Sequence, residues 1–561
     1  MQSRFRIPLV IVFLVLLTAS CSKKNKEGKY VPKDAAIVVH VNGASLSSKL
    51  PWEEVKKNEL FQELSGDTSI PSFVKQALDN PDNSGIDSKA DLLFFLKKDT
   101  LGGYAAFTGT VKDAEKFKLF NLDMAKDGVE GEQDGVNFIS KYPVCVGWNK
   151  ERFVYLVNIP EMNEGGYKWR SGGNTGNTNG ARDIHAACKT LFDIKESNSL
   201  AEDEKFTALV KQTGDIHFWM NAGELYRGSL SAVALPMLDI NKLYEGSISA
   251  VTVNFEAGKI LIDGKSYANK EITALWKKYG KNVDESMLKR LPAKEVAAAF
   301  AISFKPEGLK EFLKVLGVEG YANMGLAFLG FTFEDFVKAN KGDIVLALTD
   351  FTLKPGKFVF NETADSTAAT SPKPEVLFAT SIGDKDAFNK LVKAGERMGK
   401  NFAGTEESFA YNSNGNLFAI GNSKENVDKY ISGGSNNFDF VSKISGQPFG
   451  GYINLQYILK TFESEAGKDS AAKVVYDASV KFWDKIYMKG GDYSDGGTTS
   501  SATIELMDKT TNSAKQLNQY LGIAAKIGKQ KSDENKARIK MEMSAVDTLR
   551  RLPPPPPPSL K

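Results

Sequence analysis

Residues 31–41 read VPKDAAIVVHV, and residues 291–309 read LPAKEVAAAFAISFKPEGL. In each phrase a proline precedes an acidic residue, an apolar strand follows, and a helix is entered through Ser45 or Pro306. Asp91-Leu92-Leu93-Phe94-Phe95-Leu96 is echoed by Asp343-Ile344-Val345-Leu346-Ala347-Leu348. FTGTVKDAEKFKLF, from Phe107, runs beside FATSIGDKDAFNKL, from Phe378. Each holds a strand, an aspartate suited to N-capping (Asp113 or Asp384) and a helix with Phe117 or Phe388 turned inward. Phe153-Val154-Tyr155-Leu156 matches Leu417-Phe418-Ala419-Ile420, and WMNAGEL from Trp219 matches YINLQYI from Tyr452. LIDGKSYANKEITALWKKYG and IELMDKTTNSAKQLNQYLG close the series, with Asp263 and Asp508 each expected in a strand-ending turn. Pairs that recur in one order point to an internal duplication. The spacing shifts at two insertions, KPGKFVFNETADSTAATSPKPE in the later copy and EGGYKWRSGGNTGNTNGA in the earlier, both with surface-loop composition.

The strands stand in adjacent pairs, which favours antiparallel pairing through short turns. LLFFLKK, the turn DTLGG and YAAFTGT form one such pair, and VNFISKYPVCVGW followed by RFVYLVN forms another. The pattern predicts an α+β fold of two related halves, each an antiparallel sheet with helices packed on one face. The sequence leaves open whether the halves share one sheet. The first half spans 30–285, the second 286–525, and a charged, Pro-rich tail spans 526–561. KIGKQKSDENKARIKMEMSAVDTLRRL in that tail has the composition of a solvated helix, and Pro553 through Pro558 form a polyproline II strip or a disordered end.

The 561 residues carry 72 basic against 69 acidic side chains, so no charge excess marks a nucleic-acid partner. Three cysteines occur. Cys145 lies in an expected strand and Cys188 in an expected helix. A disulfide between them is one reading, and two separately buried thiols, small core residues, is the favoured one.

The amino terminus reads MQSRFRIPLVIVFLVLLTASCSKKNKEGK. A cationic start and an apolar run too short to span a bilayer describe a secretory signal over residues 1–20. Leu17-Thr18-Ala19-Ser20-Cys21 resembles the lipobox of bacterial lipoproteins. The resemblance implies cleavage before Cys21 and acylation of its thiol, leaving residues 21–29 as a lipidated tether. Between Cys21 and Tyr30 that tether reaches about 30 Å at full extension. The basic run after Cys21 favours a position facing the periplasm over display on the cell surface.

Catalytic patterns are missing: the chain has no P-loop, HExxH, paired CxxC or GxSxG. Of three histidines, His40 is expected on the less buried face of its strand and His217 at the core edge. His185 and Cys188 stand at i, i+3, but no second pair of ligands follows them, so no metal site and no cofactor are expected. SGGNTGNTNG, from Ser171, lacks the ending of a phosphate loop and reads as a surface loop. Trp169 beside it is a candidate ligand-contact aromatic.

The lipobox, the YVPKDAAIVVHVN opening and PDNSGID before LLFFL together resemble a family of uncharacterised Bacteroidetes lipoproteins, known as a domain of unknown function. The resemblance implies an outer-membrane location and brings no catalytic residues. The expected function is that of a non-catalytic binding or scaffolding lipoprotein, held to the membrane through Cys21, with an envelope protein or a glycan as partner. The alternative is an envelope or glycan hydrolase using carboxylates that the sequence does not single out.

Overall fold

The structure is a computed structural model describing residues 27–59, 61–62, 75, 79–124, 127–159, 182–227, 241–355, 370–401, 409–434, 436–466 and 470–550. Cys21 with its lipobox, Trp169 with its loop, and Pro553–Pro558 lie outside the described residues.

In chain order the first strands are β1 (Ile37–Val41), β2 (Leu92–Asp99), β3 (Gly102–Thr110), β4 (Val129–Gln133), β5 (Val136–Lys141), β6 (Val144–Trp148), β7 (Arg152–Ile159), β8 (Ile216–Asn221), β9 (Ile248–Glu256) and β10 (Lys259–Tyr267). They are followed by β11 (Ala298–Ser303), β12 (Asn340–Pro355), β13 (Thr370–Ile382), β14 (Ala410–Ser413), β15 (Leu417–Gly421), β16 (Phe449–Asn454), β17 (Trp483–Ser494) and β18 (Gly497–Leu506). All join one 18-stranded sheet, and every pairing is antiparallel. The expected pairs β2–β3 and β6–β7 form, and the stretch VNFISKYPVCVGW folds back on itself at Tyr142-Pro143 to give both β5 and β6.

The centre of the sheet is the β10–β18 pair, in register from Lys259↔Glu505 to Ser266↔Thr498. Outward from it one side runs β9, β8, β1, β2, β3, β7, β6, and then β5 and β4. The other runs β17, β16, β11, β12, β13, β15, β14. What the sequence left open is thus a single shared sheet.

Helices cover both faces of this sheet, not one face as expected. On the first face, Val38, Phe95, Leu156 and Trp219 are buried with residues of the helices Ile184–Phe192 and Glu204–Val210. On the other side of the sheet Ala299, Val345, Ala379 and Tyr452 are buried with Val427 and Tyr430 of the helix Lys424–Ser432. On the second face, Phe117 of the helix Ala114–Met124 packs on Phe153 and Tyr155. Phe388 of the helix Lys385–Asn401 packs on Phe418, and Ala514 and Leu517 pack with Phe255 and Ile260. The reason is legible in β7, whose Phe-Val-Tyr-Leu run is apolar at every position. A strand apolar on both faces must be buried on both.

The caps expected at Asp113 and Asp384 form: Asp113 Oδ1 accepts from the amides of Glu115 and Lys116, and Asp384 Oδ1 from that of Ala387. Asp508 makes its turn by accepting from the amides of Thr510 and Thr511. Asp263 does not; it lies inside β10, opposite Thr252 and Ser501, because the strand continues to Tyr267. The charged tail continues the closing helix without a break, so Ser513–Arg550 is one helix of 38 residues.

Candidate functional site

Two surfaces draw attention, one polar and one apolar, on opposite faces of β1. The polar one begins with His40. Side chains alternate along a strand, and β1 places Val38 and His40 on the first face and Ile37, Val39 and Val41 on the second. His40 is therefore buried, at 2% exposure, and not on the less buried face expected from its valine neighbours. The register sets it directly across from His217 on β8. The Nδ1 atoms of the two rings lie 2.9 Å apart.

The proton positions in this pair follow from one carbonyl. His217 Nε2 stands 3.1 Å from the carbonyl oxygen of Gln212, which can only accept, so Nε2 carries the proton. Burial, and next the neighbouring His40, push the His217 pKa below its ordinary value, so this ring is neutral at pH 7. Its Nδ1 is then a bare acceptor, and His40 Nδ1 must donate. The free nitrogen of His40 is Nε2, which is buried without a hydrogen-bond partner.

That nitrogen faces two carboxylates. Asp91 Oδ2, from the residue before β2, is 3.7 Å away, and Glu27 Oε2 is 3.9 Å away. Gly28 brings the Glu27 segment close. It adopts φ 77°, and a Cβ there would meet Phe206 Cε1 at 2.8 Å. The carboxylates open onto a cavity of about 430 Å³ that Asn42, Lys89, Thr110 and Arg152 also line.

The apolar surface lies on the second face, between the helices. Ile37, Val39, Phe94, Leu96, Phe107 and Val157 line a hollow of about 370 Å³. Phe94 stacks on Phe107 with ring centroids 4.3 Å apart, yet remains 44% exposed. Elsewhere on that face, Leu346 of β12 and Ile302 of β11 are 41% and 44% exposed.

Of the residues singled out in the sequence, Cys145 and Cys188 are both buried and free, so no disulfide joins them. The thiols touch: contact with Cys145, together with burial, pushes the Cys188 pKa upward. His185 turns to Phe138, with ring centroids 4.5 Å apart. Sequence reasoning passed over Glu27 as part of a tether and Asp91 as the start of a strand. The available signal was His40, a polar residue at a core period between two valines.

Residues 28–371 match the domain of unknown function DUF4836. The chain belongs to the DUF4836 family. The match covers β1 to the start of β13 and so includes both His40 and Asp91 of the polar cluster. No curated protein matches the chain. Among solved structures, similarity is found to crystal form IV of TP0453, at 8% identity and a TM-score of 0.25, covering 46% of this chain and 87% of that one. Crystal form I of TP0453 gives 9% identity and a TM-score of 0.23, covering 43% and 78%.

Proposed function

We propose that this DUF4836 chain is a cell-envelope lipoprotein of Bacteroidetes, anchored in the outer membrane by acyl chains on Cys21 and facing the periplasm. Its body is two related α+β halves, 30–285 and 286–525, and its role is to bind or scaffold rather than to catalyse. The apolar strip on the second face carries this reading. Phe94 on β2 and Leu346 on β12 stand on that face and are left exposed, with Val157 and Ile302 also exposed on it. The matching neighbour order on either side of β10–β18 supports the duplication.

Of the two partner classes, an apolar segment of an envelope protein fits better than a glycan. A sugar needs several hydrogen-bonding groups, whereas the hollow around Phe94 is lined almost entirely by carbon. The hydrolase alternative is less well served. Glu27 and Asp91 face a buried imidazole on one side of their cavity, and a glycosidase instead sets its two carboxyl groups on opposite sides of the substrate.

The test places a photo-crosslinking residue at position 94, at 346 and, as control, at the exposed Glu425, in intact cells. Discrete adducts with one envelope protein at 94 and 346 but not at 425 support the reading; no adduct at either, or equal labelling at all three, overturns it. For the anchor, Cys21→Ser should release the body from membranes on fractionation, and unchanged membrane association would reject acylation.

A further inference from the structure

His40 Nε2 stands too far from either carboxylate for a hydrogen bond. An N–H to carboxylate bond closes to about 2.7–3.2 Å, whereas the His40 Nε2 contacts measure 3.7 and 3.9 Å. The spacing does suit three donors around one ion. With bonds of about 2.1 Å, two ligands of a tetrahedral centre lie about 3.4 Å apart, so a shift of a few tenths of an ångström would bring each carboxylate to ligand spacing from Nε2.

Three further observations point the same way. His40 is 2% exposed, and its Nε2 is a buried polar atom without a partner, aimed between the two carboxylates. Its Nδ1 is committed as a donor to His217, which is in turn fixed by the Gln212 carbonyl. This relay is what sets the tautomer of a metal-bound histidine and holds its ring in place. The cavity in front of the carboxylates leaves a side of the cluster open to a water or an anion, with Arg152 and Lys89 on its wall.

We infer that Glu27, His40 and Asp91 form a binding site for a first-row divalent cation of the zinc type, with one position open to the cavity. One imidazole with two carboxylates is a mixed nitrogen and oxygen set, and the nitrogen disfavours magnesium and calcium, which take oxygen ligands. His217 is a positioning residue: it touches no ion and acts through His40.

The test uses the full chain, untagged and in detergent, stripped with EDTA and titrated with zinc chloride in a calorimeter. Wild type should bind one equivalent. Glu27→Gln and Asp91→Asn, both at partly exposed positions where folding should survive, should each weaken binding by at least about 100-fold. His217→Gln should weaken it by about 10–100-fold. Magnesium at the same concentration should give no heat. Cobalt substitution should yield the intense visible bands of a four- or five-coordinate ion without a thiolate charge-transfer band. Wild type that binds no zinc overturns the proposal. So does binding that Glu27→Gln and Asp91→Asn leave intact, or binding that is lost on Cys145→Ser.

Discussion

The two sides of the sheet place different chemistry at matching positions. Where β1 sets His40 against His217, β11 sets Ala301 against Gly450. Where Asp91 leads into β2 facing an imidazole and a second carboxylate, Asp343 in β12 is met by Lys281 Nζ at 2.7 Å and by the hydroxyls of Ser303 and Ser381. Burial works to raise the Asp343 pKa, but Lys281 and the serines outweigh it, and the net shift is downward. Each side thus holds an aspartate near the start of a strand, Asp91 partly exposed just before β2 and Asp343 buried in β12. One has its own ammonium beside it, and the other has a histidine nitrogen and a glutamate.

The largest effect should come from removing the built-in cation. Lys281→Met leaves Asp343 charged and nearly buried, and should cost about 2–3 kcal/mol in urea denaturation, toward the low end because Lys281 is itself a third exposed. A cost below about 0.5 kcal/mol would mean that the serines alone suffice and the contrast is empty.

A second pair of substitutions puts alanine at one position on both sides. Gly450→Ala drives a Cβ to 1.9 Å from the carbonyl oxygen of Ile444, and should cost about 1–3 kcal/mol by crowding. His217→Ala removes the acceptor of the buried His40 Nδ1–H, and should cost a similar amount by orphaning a donor. The contrast sharpens if a smaller helix shift rescues the first and not the second.

The pH dependence is expected to be modest. Asp343 is depressed in the native state, so its contribution is present above its unfolded value near 4 and is lost as the pH falls through its lower folded value. The stability difference between wild type and Asp343→Asn should be full at pH 6 and shrink as the pH is taken below 4. A difference that grows on acidification would reverse the assigned sign. Smallest of all, Phe94→Ser and Leu346→Ser should change the urea midpoint by less than about 1 kcal/mol, since both side chains are over two-fifths exposed. Their effect should appear in partner binding.

Much of the fold could be read in the chain because its signals are local. Asp113 and Asp384 cap where expected, Phe117 and Phe388 turn inward, and LLFFLKK pairs with YAAFTGT across a short turn. The β10–β18 junction is not local: Ile260 meets Ile504 from almost half the chain away, and nothing in either strand names its partner. The two-faced packing is written in FVYLV, from Phe153, which is apolar at every position. The polar cluster was out of reach for another reason. Glu27, His40, Asp91 and His217 come from four separate segments, and only strand register and the Gly28 turn bring them together.

The comparison predicts that each aspartate needs a cation, supplied by lysine on one side and by a bound ion on the other. Thermal unfolding of wild type and Glu27→Lys, each in EDTA and in excess zinc, tests this most directly. Zinc should raise the midpoint of wild type and leave that of Glu27→Lys unmoved, while in EDTA the lysine variant should melt at or above wild type. The same zinc response in both proteins, or none in either, would contradict the account.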